Sequence, residues 1–176
     1  MTLPSSRSYA LWLSLFRLFS GVFWLAHGVP KFLMGAKFLP PTGFMEQFLQ
    51  SAVQKSPTFY QAFLSLDVIP HPGIFAEFVR LGEVLVGLSL LLGFLSRLGG
   101  LGGMFLAANY FLANGGWANY PSLGSLDAAA FAISMVHFVL PTGRVLGIDG
   151  LLKKARRDKP IIPEFIDETP PAAHPS

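Results

Sequence analysis

The sequence contains no cysteine, which excludes disulfides, thiolate-held metals and iron–sulfur clusters, and any thiol chemistry performed by this chain alone. A redox role therefore needs a bound cofactor or a partner subunit. Charge is also scarce: 13% of the 176 residues are charged, with a formal net charge of +3. No metal-ligand spacing, phosphate loop, serine-nucleophile motif or nucleic-acid module appears, so neither a metal nor nucleic acid is expected. What the chain has in quantity is apolar surface. It is 52% hydrophobic, with 17 Phe, 18 Gly and a mean hydropathy of +0.50. That is more than a soluble core of this size can bury, and Gly and aromatic residues are enriched in membrane helices.

A spanning helix needs about 20 mostly apolar residues. Four segments approach this: 9–27, 74–95, 98–112 and 126–145. The first follows Arg7 as a signal peptide would, but Arg17 interrupts it and no small-x-small cleavage site follows, so it reads as a retained helix. Arg7, Arg97, Arg144, Lys153, Lys154, Arg156, Arg157 and Lys159 fall on one side, against Lys31, Lys37 and Lys55 on the other. The positive-inside rule then places both termini in the cytoplasm. The expected fold is all-α: an integral membrane four-helix bundle over 1–152, in the inner (plasma) membrane, with the lipid bilayer as a partner.

The outer segment 30–73 is long and apolar for a connector. Thr42 can cap a short helix carrying Phe44, Met45, Phe48, Leu49 and Val53, and Ser56 with Pro57 can open a second one carrying Phe59 and Phe63. These are expected as interfacial helices over the bundle mouth, or as a loop packed only for stability. Trp117 and Tyr120 suit an interfacial belt. Gly99, Gly103 and Ala107 form a small-residue stripe suited to tight packing within the bundle, or to homodimerisation. Residues 153–176 begin KKARR, turn acidic at Glu164, Asp167 and Glu168, and are expected to be a disordered tail.

Several polar groups interrupt the apolar segments. Arg17 lies in helix 1, and Glu77, Arg80 and Glu83 share one face of helix 2. Intramembrane charge is costly, so these groups should point inward and pair, or line a wet cavity. Counting from the cytoplasmic ends puts Arg17 level with His137. Glu83 and Asn109 lie deeper, then Arg80, with Glu77 and His27 near the outer face, topped by Lys31 and His71. One reading is structural, with Arg17 bridging to Glu83 and Arg80 to Glu77. The other is a quinone or anion site in which the arginines hold a headgroup and Glu83 or His27 passes protons. A bis-histidine haem is disfavoured because His27 and His137 differ by roughly 15 Å in depth.

Three stretches carry a resemblance: Gly21 through His27, Gly28 and Lys31; RLGEVLVGLSLLLGFLSRLGG from Arg80 to Gly100; and PTGRVLGIDGLL from Pro141 to Leu152. Together they resemble the DoxX/DoxD family of small bacterial and archaeal membrane proteins. Gly82, Glu83, Gly87, Leu92, Gly93 and Arg97 are the most specific part, with the HGxxK end of helix 1 and GRxxGxD in support. The resemblance implies a four-helix membrane fold. It also implies, for some members, the small subunit of thiosulfate:quinone oxidoreductase working with a second subunit. Membership implies fold more strongly than activity.

The leading expectation is thus a membrane subunit supporting quinone-linked electron transfer. Glu83 and His27 are the candidate proton-passing groups, and Arg17, Lys31, Glu77, Arg80, Asn109 and His137 the candidate quinone-binding residues. The alternative is a non-catalytic scaffold or assembly partner whose charges are structural. A solute or proton pathway is disfavoured because the polar groups thin out below Arg17.

Overall fold

In the computed structural model, residues 6–116 and 125–157 are described, and Trp117, Tyr120 and residues 158–176 lie outside them. The described residues form seven α-helices and no strand: α1 Ser6–Leu33, α2 Phe44–Lys55, α3 Thr58–Phe63, α4 Pro72–Leu92, α5 Ser96–Ala113, α6 Leu126–Val139 and α7 Ile148–Arg157. Among them α1 alone is long and apolar enough to cross a membrane; α6 is apolar but has only 14 residues.

The four longer helices, α1, α4, α5 and α6, form the bundle. Each packs on the next, and α6 closes back on α1. α1 and α4 run antiparallel and touch through small residues. A Cβ at Gly21 would stand 2.6 Å from the Leu91 nitrogen, and one at Gly87 would stand 2.7 Å from Leu25 Cγ. These close approaches leave room for no side chain. On α5, a Cβ at Gly103 would stand 2.5 Å from Ser134 Oγ of α6. The small-residue stripe is thus spent inside the bundle.

The polarity of α1 is reversed relative to a soluble helix. Ser14, Arg17 and Ser20 are buried, while Trp12, Phe19, Val22 and Leu33 are exposed. Large apolar residues are also exposed on α4, α5 and α6, among them Phe78, Leu85, Phe105 and Val139.

Several boundaries differ from expectation. α1 continues past residue 27, through Pro30, to Leu33, carrying Lys31 on its last turn. α6 stops at Val139 instead of 145, since Leu140 precedes Pro141 and takes an extended ψ of 139°. A 3-10 turn, Thr142–Arg144, follows. The KKARR run is the second half of amphipathic helix α7, so ordered chain extends past Leu152 to Arg157. Gly43, not Thr42, occupies the N-cap of α2.

Segment 30–73 has a core of its own. Phe38, Met45, Leu49, Ala52, Tyr60, Leu64 and Val68 are buried together against Ala76 of α4 and Ala113 of α5. α2 and α3 therefore roof the end of the bundle where α4 begins, here termed the roofed end. The opposite end holds the α4–α5 turn.

Candidate functional site

The structure divides the polar groups expected at successive depths into separate sets. Glu83 is 1% exposed and pairs with Lys31, whose Nζ lies 2.5 Å from a carboxylate oxygen. Tyr110 completes a triangle: its hydroxyl donates to Glu83 Oε1 at 2.7 Å and accepts from Lys31 Nζ at 2.7 Å. The ammonium also stands 5.0 Å from the centre of the Tyr110 ring. A carboxylate, an ammonium and a phenol thus satisfy one another in a buried setting, as buried charge requires.

Arg17 does not reach Glu83. α1 and α4 are antiparallel, so Arg17 lies level with Leu90 and Leu91, seven positions or about 10 Å along α4 from Glu83. Its guanidinium donates to the Leu90 carbonyl, to the Leu91 carbonyl at 3.0 Å and to the Leu146 carbonyl at 2.8 Å. A cation there meets the carbonyl-rich, negative end of α4. Asp149 mirrors it at the positive end of α5. Its carboxylate accepts from the Leu95 and Ser96 amides at 2.8 and 3.0 Å and from Ser96 Oγ at 2.9 Å. Between them Gly93 turns the chain at φ +64°, where a Cβ would strike Arg17 Nη1 and Gly147 Cα at 2.8 Å. The α4–α5 turn is thus clasped by one charge on each helix end.

His137 belongs with this clasp. It is fully buried, with Nε2 2.8 Å from Ser20 Oγ, Nδ1 3.1 Å from Thr142 Oγ1 and its ring packed on Phe16. Both ring nitrogens are engaged, tying α6 to α1. Its predicted level beside Arg17 agrees with these contacts to neighbouring α1 residues, but it does not join Glu83.

Arg80 pairs with Glu77 as expected, with Nε 2.6 Å from Oε2, and its guanidinium lies over the Phe32 ring. This is a local pair with Glu77 partly exposed, separate from the Glu83 triangle. His71 is exposed and bonds the Asp67 carbonyl at 3.2 Å. His27 is exposed, with Nδ1 2.8 Å from the Phe23 carbonyl. It nevertheless lines a cavity of about 220 Å³ together with Lys31, Glu83, Tyr110 and Asp127.

A second cavity, of about 370 Å³, lies between α4 and α5 beneath the roof. Its wall is almost entirely apolar, and its polar groups are Tyr60, Asn109 and Tyr110. The Tyr60 hydroxyl donates to Asn109 Oδ1 at 2.9 Å, and Asn109 Nδ2 donates to the Phe105 carbonyl. Burial pushes the Tyr60 phenol up to about 12, keeping it a donor at neutral pH. Phe78 and Phe105 line this cavity and are 68% and 69% exposed, so it opens sideways between α4 and α5. Tyr110, Met45, Phe48 and Val79 line both cavities.

The family model described as "TQO small subunit DoxD", TQO being thiosulfate:quinone oxidoreductase, matches residues 12–162, most of the chain. The chain belongs to the DoxD family. No curated protein and no solved structure matches it. Within this DoxD chain the characteristic residues sort into two places. Lys31 of HGxxK and Glu83 meet at the roofed end, whereas Gly93 and the GRxxGxD aspartate Asp149 build the clasp.

Tyr110, Tyr60 and Asp127 were not singled out by sequence reasoning, nor were Asp149, Ser20 and Thr142 on the clasp side. Tyr110 had a signal, being a polar aromatic residue adjoining Asn109 inside an apolar helix. Asp149 had one too, in the GRxxGxD element. Among the described residues no group of His, Asp and Glu could hold a metal ion. An apolar cavity within the roughly 300–1,000 Å³ range of small-molecule sites, with few polar groups on its wall, suits a flat apolar ring bearing hydrogen-bond acceptors.

Proposed function

We propose that this chain is the membrane-spanning small subunit of a quinone-linked oxidoreductase, and that quinone enters between α4 and α5 into the 370 Å³ cavity. α1, α4, α5 and α6 cross the bilayer, with the roof on the outer face and both termini in the cytoplasm. The reversed polarity of α1 and the exposed apolar residues on all four helices support the spanning reading. The observation that carries the function is Tyr110: it stands on the wall of the laterally open apolar cavity and is bonded to the buried Lys31–Glu83 pair.

Conversion of a bound quinone to the quinol consumes two electrons and two protons. The electrons come from a second subunit that oxidises the donor, thiosulfate in the family's description, because this chain has no thiol. Asn109, oriented by the Tyr60 hydroxyl and with one amide hydrogen beyond that given to the Phe105 carbonyl, supplies a donor for a carbonyl oxygen. His27 at the edge of the smaller cavity takes protons from the outer face, and Glu83 receives them and passes them through Tyr110 to the quinone oxygens. Lys31 holds the Glu83 carboxyl in place from α1. Arg17 and His137 hold the bundle together and touch no quinone. Glu77 and Arg80 form a surface-side pair.

The test is organic extraction of the protein purified in mild detergent, alongside Gly82→Leu, which fills the cavity where only the flexible tip of Leu106 adjoins. Arg80→Gln is the control. Stoichiometric quinone in the wild type and in Arg80→Gln, but not in folded Gly82→Leu, supports the site. Absence of quinone from all three leaves the scaffold reading, in which Lys31–Glu83 is a structural tie.

A further inference from the structure

At the end opposite the roof, Arg97 of α5, Arg144 of the 3-10 turn and Lys153 of α7 line one open cavity of about 490 Å³. All three are exposed. Arg97 makes only a long, 3.4 Å contact with the Val139 carbonyl, and among the described residues neither Arg144 nor Lys153 forms an ion pair. The acidic residue on this wall is Asp149, and its oxygens are taken up by the Leu95 and Ser96 amides and the Ser96 hydroxyl. Three cations from three separate elements therefore line one space against one carboxylate whose oxygens are already engaged by backbone amides and a hydroxyl.

The rim of this space is apolar. Leu95, Leu98 and Leu152 line it and are exposed. α7 adds to the pattern, with Leu151 and Leu152 exposed next to Lys153 and Lys154. Exposed leucines bordering lysines and arginines are what an amphipathic helix presents at the boundary between headgroups and acyl chains. A soluble anion has no use for the leucine rim, whereas a lipid uses both parts.

We propose that Arg97, Arg144 and Lys153 form a binding site for the phosphate headgroup of an anionic phospholipid, with its acyl chains lying along Leu98 and Leu152. The site fixes α7 to the membrane surface and so holds Asp149, on the first turn of α7, against the start of α5. It draws on the membrane reading for the source of the lipid, but is independent of the quinone cavity at the other end.

Native mass spectrometry of the detergent-purified full chain, with phosphatidylglycerol or phosphatidylcholine added, tests it. Wild type should retain phosphatidylglycerol in preference to phosphatidylcholine. Arg144→Gln with Lys153→Gln should weaken that retention roughly thirtyfold, taking the usual contribution of one surface cation twice. Arg144→Lys with Lys153→Arg should keep it. The melting temperature in lipid-free detergent should stay unchanged, since neither side chain makes an internal bond among the described residues. Equal retention of the two lipids by wild type, or undiminished retention by the double glutamine variant, would overturn the proposal. Full displacement of phosphatidylglycerol by millimolar inorganic phosphate would also overturn it, by making this a soluble-anion site. Quinone content should not change in any of these variants, so failure here is distinguishable from failure of the quinone reading.

Discussion

The two ends of the α1–α4 helix pair both bury charge, yet they close it in different ways. At the α4–α5 turn, Arg17 is bonded to backbone carbonyls and Asp149 to backbone amides and one hydroxyl, while His137 bridges two hydroxyls. Such groups complete helix ends that would otherwise lack partners. At the roofed end, Lys31, Glu83 and Tyr110 are bonded to one another, and open space adjoins them on two sides. Burial of charge alone therefore does not mark a site. On the proposed reading the partner does: charge tied to backbone holds the fold, whereas charge tied to side chains beside a cavity serves the ligand.

Breaking the clasp should give the largest loss of stability. Arg17→Met strips three carbonyls of a charged donor and should cost about 3–5 kcal/mol in detergent unfolding, with quinone per folded molecule unchanged. Asp149→Asn keeps the shape but weakens charge-assisted bonds to the start of α5. It should cost about 2 kcal/mol in the same titration, again without quinone loss.

The roofed end should respond in the opposite sense. Glu83→Gln leaves the Lys31 ammonium without a counter-charge and should cost about 1–3 kcal/mol, and adding Lys31→Met should recover most of it, because an apolar replacement of both partners is often neutral. Both variants should keep quinone but lose its reduction, since Glu83 lines the smaller cavity and not the larger one, and quinone content measured beside turnover separates the two effects. The smallest change is Tyr60→Phe, which removes one neutral hydrogen bond to Asn109. It should cost about 1 kcal/mol or less and weaken quinone retention without abolishing it.

Much of this architecture is legible in the sequence. The four long apolar stretches, the apolar outer segment and the inward-facing charges follow from helical periodicity and from the cost of leaving charge unpaired. Which charges meet was not legible, because pairing depends on the register of α1 against α4. Gly21, Gly28 and Gly87 set that register by letting the two backbones approach, and a count of positions from uncertain helix ends does not resolve a shift of two turns. The same shift brought Lys31 from the rim to Glu83 and Tyr110. Tyr110 escaped notice because a tyrosine in an apolar helix is ordinarily an interfacial anchor, and only the antiparallel packing of α5 against α4 brings its hydroxyl to Glu83. The helical KKARR run was missed because its composition is that of a solvated tail, while its docking through Asp149 to the α4–α5 turn is a long-range contact.

The division of labour between the two ends is tested most directly by the thermal shift that a short-chain quinone induces in the purified wild type, in Asp149→Asn and in Tyr110→Phe. Asp149→Asn should melt lower without ligand yet keep the full quinone-induced shift. Tyr110→Phe, which removes one bond to Glu83 and one to Lys31, should also melt lower but lose the shift. A full shift in Tyr110→Phe, or loss of the shift in folded Asp149→Asn, would contradict the assignment of the roofed end as the site and the turn as the clasp.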